Sequence, residues 1–296
     1  MEEQEREKWI LAGKIAKEAR ELGASLSKPG ASLLSIAEAI EKKLAERGAK
    51  PAFPPNLSLN AVAAHYTPRV DDMTELSAGD VLKVDVGASV EGFISDTATT
   101  VLVGGGENDV LEASREALSE ASKLVRPGGS ISEISKAIEN KIRSYNLSPI
   151  VNLGGHGLAK FDIHTAPFIP NVFSSSSKSL PDSGAIAIEP FATNGVGFVI
   201  DGAEVEIMML SHKKPVRSKL GREIMDFVEN EYNTLPFARR WIIKKFGPFA
   251  DSELKNLAAG GNLYEFNVLK EQGGGLVAQF EDTFLLDGGT VITTTV

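Results

Sequence analysis

Two acidic residues sit where a sheet-forming sequence gains nothing from them. In VLKVDVGASVEGFISDTATTVLV, from Val81 to Val103, β-branched and apolar residues flank a glycine-rich centre, which predicts an antiparallel hairpin closing between Val90 and Gly92. Asp85 and Asp96 stand roughly equally far from that turn, so the expectation is that they oppose each other, with Cβ atoms about 5 Å apart. Two carboxylates held that close in a half-buried sheet repel and lose hydration, and a divalent cation between them is the usual remedy. A random pair of acids does not make a metal site, so further ligands have to be found.

Histidine is scarce, with 4 in the chain, and three of these (His65, His156 and His164) fall in Gly- or Pro-punctuated loops beside carboxylate-bearing strands. His212, in the polar stretch SHKKPVRSK, reads as solvated. Glu281 lies between Phe280 and Phe284 in a terminal strand otherwise made for burial. Glu189 is found through an internal repeat. PGASLLSIAEAIEKKL from Pro29 aligns with PGGSISEISKAIENKI from Pro127 at an offset of 127 − 29 = 98, with 8 of 16 positions identical. The echo continues from Gly79 to Gly184, where Glu189 takes the place of Asp85 and Asp201 that of Asp96. Repetition of this length predicts two similar α+β halves with a site between them.

Collected, Asp85, Asp96, His156, Glu189 and Glu281 give four carboxylates and one imidazole, an oxygen-rich set suited to Mn, Fe(II), Co or Zn. Four carboxylates are too many for one tetrahedral ion. A bridged pair of ions uses all five, and such pairs acidify a shared water enough to yield hydroxide near neutrality, which points to hydrolysis.

The elements that must carry these groups follow from periodicity. Apolar residues at Trp9, Ile10, Ile15, Ala16 and Ala19 predict a helix over Glu2 to Leu22, stopping before Gly23. A second helix is capped by Ser32 and runs to Gly48. Residues 205–270 lose the repeat and predict a helical subdomain, with segments at Gly221 to Tyr232, Leu235 to Phe246 and Asp251 to Ala259, inserted into a catalytic domain of residues 1–204 and 271–296. Its basic run, Arg239, Arg240, Lys244 and Lys245, is the one candidate surface for an acidic partner such as RNA or the ribosome. Elsewhere the net charge of −9 argues against specific DNA binding. With 0 cysteines there are neither disulfides nor thiolate ligands, and no run of 18 apolar residues predicts a membrane span, so a soluble cytoplasmic protein is expected. There is no Gly-x-Ser-x-Gly elbow for a serine nucleophile, and no phosphate-loop lysine follows Gly104, Gly105 and Gly106.

FPPNLSLNAVAAHYTP, VDVGASVEGFISDTA, NLGGHG with IHTAP, IEPFAT and AQFEDTFLL together resemble type II methionine aminopeptidases of archaeal form, across essentially the whole chain. The resemblance implies the pita-bread fold shared with creatinase, prolidase and aminopeptidase P: two pseudo-symmetric halves around a dinuclear site. The interval between Glu189 and Glu281, 281 − 189 = 92 residues, matches the type II insertion. It implies two divalent ions (Co, Mn, Fe(II), Zn or Ni), with Asp85 chelating one, Asp96 and Glu281 bridging, and His156 with Glu189 on the other. A metal-bridged hydroxide would attack the carbonyl after an initiator methionine that precedes a small residue. Glu189 would shuttle the proton, His164 would polarise the scissile carbonyl or contact the amide nitrogen, and His65 would stabilise the tetrahedral intermediate. Phe53, Ile163 and Phe191 resemble lining residues of the methionine pocket, with His65 and His164 also contacting substrate. Gly154 and Phe266 depart from the larger polar residue and the tyrosine often found there. The implied partners are nascent N-termini and a transient ribosome contact, for a monomer. Two other readings remain in view: an Xaa-Pro peptidase on the same fold, and a non-catalytic binding protein.

Overall fold

This computed structural model describes residues 1–175 and 177–295. The first half holds helices α1 (Glu3–Leu26) and α2 (Leu33–Glu46), then strands β1 (Lys50–Pro51), β2 (Asn56–Leu59), β3 (Val62–Ala64), β4 (Val81–Val90) and β5 (Phe93–Leu102). The second half begins with α3 (Asp109–Ser122) and α4 (Ile131–Ser144). It continues through β6 (Ser148–Pro149), β7 (Gly154–Ala159), β8 (Asp162–Pro170), β9 (Gly184–Ile188), β10 (Phe191–Thr193) and β11 (Val199–Leu210). Next come α5 (Lys219–Tyr232), β12 (Phe237–Ala238), α6 (Arg239–Phe246) and α7 (Ala250–Ala259). The chain closes with β13 (Leu263–Glu271), β14 (Val277–Gln279), β15 (Asp282–Asp287) and β16 (Thr290–Thr293).

The sequence repeat becomes a structural one. Ser32 caps α2 by accepting the Ser35 amide, and Ser130 caps α4 by accepting the Glu133 amide. Each capping residue also bridges to the segment that leads into its half's central strand, Ser32 to Glu75 and Ser130 to Ser179. Ile36, Ile40 and Leu44 pack α2 onto β4 with Ile15 and Ala19 of α1, while Ile134, Ile138 and Ile142 of α4 pack with Ile186 and Ile188 of β9. A turn of helix set by a serine cap and an isoleucine stripe is thus used twice, once on each sheet.

Helix α1 does not stop before Gly23. It runs four residues further, to Leu26, and at Gly23 a side chain would meet Ile40 at 2.7 Å and Val84 at 2.9 Å. Here glycine allows a close helix crossing and does not end the helix. In the stretch expected to be helical from residue 205, β11 continues to Leu210 and β13 already begins at Leu263. These two strands share a sheet ordered β12, β11, β13, β3, on which α5, α6 and α7 pack through Met208, Ile224, Phe237 and Leu254. Residues 237–238 form strand β12, beside Ile207 and Met208, and helix α6 starts only at Arg239. The inserted part is therefore joined to the first half through β3, the strand that leads into His65.

Candidate metal centre

The hairpin forms, with its two turn residues at Glu91 (φ 52) and Gly92 (φ 91), the left-handed pair that a tight hairpin requires. That turn sets a register different from direct opposition. Asp85 pairs with Ala98 and Asp96 with Gly87, so the two acids share one face but lie diagonally, offset by two residues. The stagger leaves room between them for groups from other strands.

Those groups arrive at interruptions in the second half. Glu189 follows the last residue of β9, and Glu281 precedes the first residue of β15, with Asp282 paired to Ile188. Between the halves, Glu281 and Ala98 exchange backbone hydrogen bonds of 3.2 and 3.1 Å, so the strand bearing Asp96 also fixes Glu281. His156 on β7 lies opposite Ala187 of β9. The segment carrying Asp201 goes elsewhere: it pairs with Leu269 in the sheet of β11 and β13, and Asp201 is exposed. The repeat fails at this point because the neighbour of β9 is β15, from the far end of the chain, and not the strand that follows it.

Potential ligand atoms of Asp96, His156 and Glu281 lie within 4.8 Å of one another, and those of Asp85, Glu189 and Glu281 form a second such group. The five residues are thus together, in two groups that share Glu281. Glu189 stands in the group with Asp85.

The electrostatics fit a cation. Asp85 is pushed up to about 7 by burial, and Asp96, Glu189 and Glu281 are held well above the usual carboxylate range by burial and then by one another's charge. Asp85 Oδ1, Asp96 Oδ1 and both carboxylate oxygens of Glu281 are buried without a hydrogen-bond partner. His156 Nδ1 lies 3.3 Å from the Gly157 carbonyl, which can only accept, so Nδ1 carries the proton and the bare Nε2 faces Asp96 Oδ2 at 3.8 Å. Burial and the neighbouring His164 push the His156 pKa down to about 3, so its ring is neutral, as a ligand must be. A lone pair aimed at a carboxylate, among orphaned carboxylate oxygens, calls for positive charge between them, which bound protons or a metal ion supply.

Gln279, which the sequence reading passed over, donates from Nε2 to Glu189 Oε1 at 2.7 Å and to Asp85 Oδ2 at 3.3 Å. Its signal was available in AQFED, where it stands two residues before Glu281. Asn56 was also missed. It pairs with Asp85 across β2 and β4, is 5% exposed, and lines the cavity above the acids.

Phe53, His65, Ile163, His164 and Phe266 line that same cavity, along with Pro236 and Ile207 from the inserted part. Phe191 does not. It is 1% exposed and lies in the wall of an adjoining groove with Leu153, Gly154 and Phe168. A side chain at Gly154 would come within 2.3 Å of the Ile169 carbonyl oxygen, so close strand packing excludes a larger residue there. His164 lines both cavity and groove, and its ring meets that of His156 edge-on at 4.5 Å. His65 has φ 64, and its Nδ1 lies 3.1 Å from the Asn267 carbonyl. Burial pushes its pKa down to about 4, so it is neutral with the proton on Nδ1 and a free Nε2. Phe266 packs edge-on against His65 at 5.4 Å, supplying ring area without a hydroxyl.

Part of the basic run of α6 is tied to the rest of the protein, while Lys244 and Lys245 are exposed. Arg240 is 1% exposed and pairs with Glu41, Arg239 pairs with Asp251, Lys244 pairs with Glu38, and Lys245 stands 4.3 Å over the Phe227 ring. His212 is exposed and hydrogen-bonded to Ser211. Among the described residues, no helix is long and apolar enough to cross a membrane.

Comparison with known proteins agrees with this geometry. The model of metallopeptidase family M24 matches residues 7–287. The methionine aminopeptidase of Archaeoglobus fulgidus is 46% identical over 295 residues, covering 99% of this chain and 100% of that protein. That of Pyrococcus abyssi is 46% identical over 294 residues, covering 98% and 99%. Among solved structures, a thermophilic Arx1 superposes with a TM-score of 0.86 at 17% identity, covering 99% of this chain and 91% of that one. Methionine aminopeptidase from Thermotoga maritima superposes with a TM-score of 0.72 at 20% identity, covering 100% and 98%. These likenesses establish the pita-bread fold. With the family model spanning nearly the whole length and full-length relatives this similar, the chain belongs to metallopeptidase family M24.

Proposed function

We propose that this chain is a methionine aminopeptidase, a hydrolase that removes the initiator methionine from nascent polypeptides when the second residue is small. One observation carries the reading: two groups of buried ligand atoms sharing Glu281, below a cavity with apolar walls, in a chain 46% identical to methionine aminopeptidases along its length. Asp85, Asp96, His156, Glu189 and Glu281 would hold two divalent ions. Ions bound there polarise a carbonyl and acidify a water.

The chain's own residues do the rest. Phe53 and Ile163 enclose the methionine side chain. Glu189, its Oε1 held by Gln279, keeps its other oxygen to take a proton from the attacking water and return it to the leaving amine. His164, at the junction of cavity and groove, contacts the scissile carbonyl or its amide. His65 receives a different role from the one the resemblance implies. Because Nδ1–H is committed to Asn267, Nε2 accepts a substrate N–H and does not donate to an oxyanion. Phe191 serves the groove that receives the downstream chain.

The working state in this reading is a cytoplasmic monomer acting on emerging N-termini. A transient ribosome contact belongs to the same reading. The catalytic domain comprises 1–204 with 271–296, and the inserted 205–270 supplies Ile207, Pro236 and Phe266 to the cavity. The test is cleavage of Met-Ala-Ser beside an Xaa-Pro peptide by cobalt- or manganese-loaded protein, with metal content measured on the same sample. Release of methionine alone supports the proposal. Cleavage of the Xaa-Pro peptide, or an intact Met-Ala-Ser after hours with metal bound, overturns it.

A further inference from the structure

Glu189 and Asp85 are gripped by Gln279, whereas both carboxylate oxygens of Glu281 lack a hydrogen-bond donor among the described residues. The direction of the Glu281 carboxylate is therefore set by its main chain. That main chain belongs to neither flanking ladder: β14 ends at Gln279, paired with Phe191, and β15 begins at Asp282, paired with Ile188. The hold comes from β5, in the other half. Besides exchanging backbone bonds with Ala98, Glu281 accepts on its carbonyl from Thr97 Oγ1 at 2.8 Å.

Thr97 follows Asp96, so by strand alternation its side chain turns to the opposite face, where Arg20 of α1 donates to it from Nη1. A guanidinium cannot accept, so the single hydroxyl proton of Thr97 is left for an acceptor. The Glu281 carbonyl, at 2.8 Å, is nearer than Asp282 Oδ1 at 3.4 Å. Arg20 Nη1 also reaches Asp282 Oδ1 at 3.3 Å, and Thr295 donates to that same oxygen. The cation polarises the hydroxyl and strengthens its bond to the carbonyl. One chain of bonds thus runs from α1 to the peptide of Glu281.

Resting on the proposed aminopeptidase reading, we infer that Thr97 and Arg20 are positioning residues for the metal centre, Thr97 by fixing the Glu281 peptide and Arg20 by acting through Thr97. Stability of the fold alone does not require this hydroxyl. The Glu281 carbonyl already accepts from the Ala98 amide at 3.2 Å, so losing Thr97 Oγ1 orphans no acceptor, and Arg20 keeps Asp282. What is lost is the second point of attachment that stops the peptide from turning.

The test measures manganese dissociation constants by calorimetry on metal-free protein, with a thermal melt of each sample. The proteins are wild type, Thr97→Val, Thr97→Ser, Arg20→Met, and Arg20→Met combined with Thr97→Val. Thr97→Val keeps the shape and drops the hydroxyl, and loss of such an outer contact predicts about ten- to a hundredfold weaker manganese binding. Thr97→Ser keeps the hydroxyl and should bind manganese as wild type does. Arg20→Met should weaken binding, and the double variant should be no weaker than Thr97→Val, because the two residues act in series. Wild-type affinity in Thr97→Val, even with a lowered melting temperature, overturns the inference. Equal losses in Thr97→Val and Thr97→Ser, or additive losses in the double variant, do the same. Should Thr97→Val not fold, wild-type affinity in Arg20→Met overturns it. A wild type that binds no manganese and leaves Met-Ala-Ser intact fails the aminopeptidase reading instead, so the two failures are separable.

Discussion

Replacing Glu41 with alanine should destabilise the protein far more than loss of an ordinary helix-surface acid. Glu41 on α2 pairs with Arg240 on α6, 240 − 41 = 199 residues away, and also accepts from Trp241 Nε1 at 2.9 Å. The Arg240 side chain is 0% exposed. Without Glu41, its guanidinium retains only neutral acceptors, Thr67 Oγ1 at 2.8 Å and the Pro68 carbonyl at 2.9 Å. Breaking a buried pair from one side costs about 3–5 kcal/mol, because a charge stays behind without compensation. The Glu41 side chain keeps 20% exposure and Arg240 keeps two acceptors, so the lower end applies, about 3 kcal/mol. At about 2 °C per kcal/mol for a chain of this size, the melting temperature should fall by ~6 °C. Burial raises the Glu41 pKa despite Arg240 and lowers that of Arg240, so desolvation outweighs attraction within the pair. It follows that Glu41→Leu with Arg240→Met should be more stable than Glu41→Ala alone. Calorimetry at neutral pH on metal-loaded protein reads all three. A drop of less than about 1 kcal/mol in Glu41→Ala, or a double variant as unstable as the single, would refute the reasoning.

Other outcomes follow from the site. Asp96→Asn and Glu281→Gln should each reduce turnover of Met-Ala-Ser by orders of magnitude and lower bound metal while the circular dichroism spectrum is kept; wild-type activity in either contradicts the ligand assignment. His65 is held at about 4 against its usual 6.5, so the fold favours its neutral form. That contribution is complete above pH 6.5 and is lost as pH falls through 4, so wild type should lose stability relative to His65→Gln across this window. Denaturation midpoints that run parallel for the two proteins would dismiss it. With Nδ1–H bound to Asn267 and Nε2 free, His65 is also the nucleophile that a fumagillin-type epoxide should alkylate, adding one inhibitor mass at that residue; an unmodified intact mass counts against the proposed tautomer.

The sequence by itself determined which residues are chemically out of place and how the halves are built. Asp85 and Asp96 are acids in strands made for burial and Glu281 is one at the edge of such a strand, and that anomaly is local, readable without coordinates. The repeat of serine cap and isoleucine stripe is local too, which is why α2 and α4 follow from periodicity. Tertiary structure decided register and neighbours. Which residue faces Asp85 depends on the conformations of Glu91 and Gly92, and a shift of the turn changed opposition into a diagonal. Whether Gly23 ends a helix or permits a crossing depends on Ile40 and Val84, which no local window contains. The neighbour of β9 is recruited from the chain's end, so Glu281 enters the site while Asp201, its rival by repetition, stays exposed. Arg239, Arg240 and Lys244 of α6 pair with Asp251, Glu41 and Glu38, partners that folding alone brings near. Asn56 and Gln279 carry no charge to mark them in the sequence, and only their placement beside Asp85 and Glu189 shows that their amides face the site.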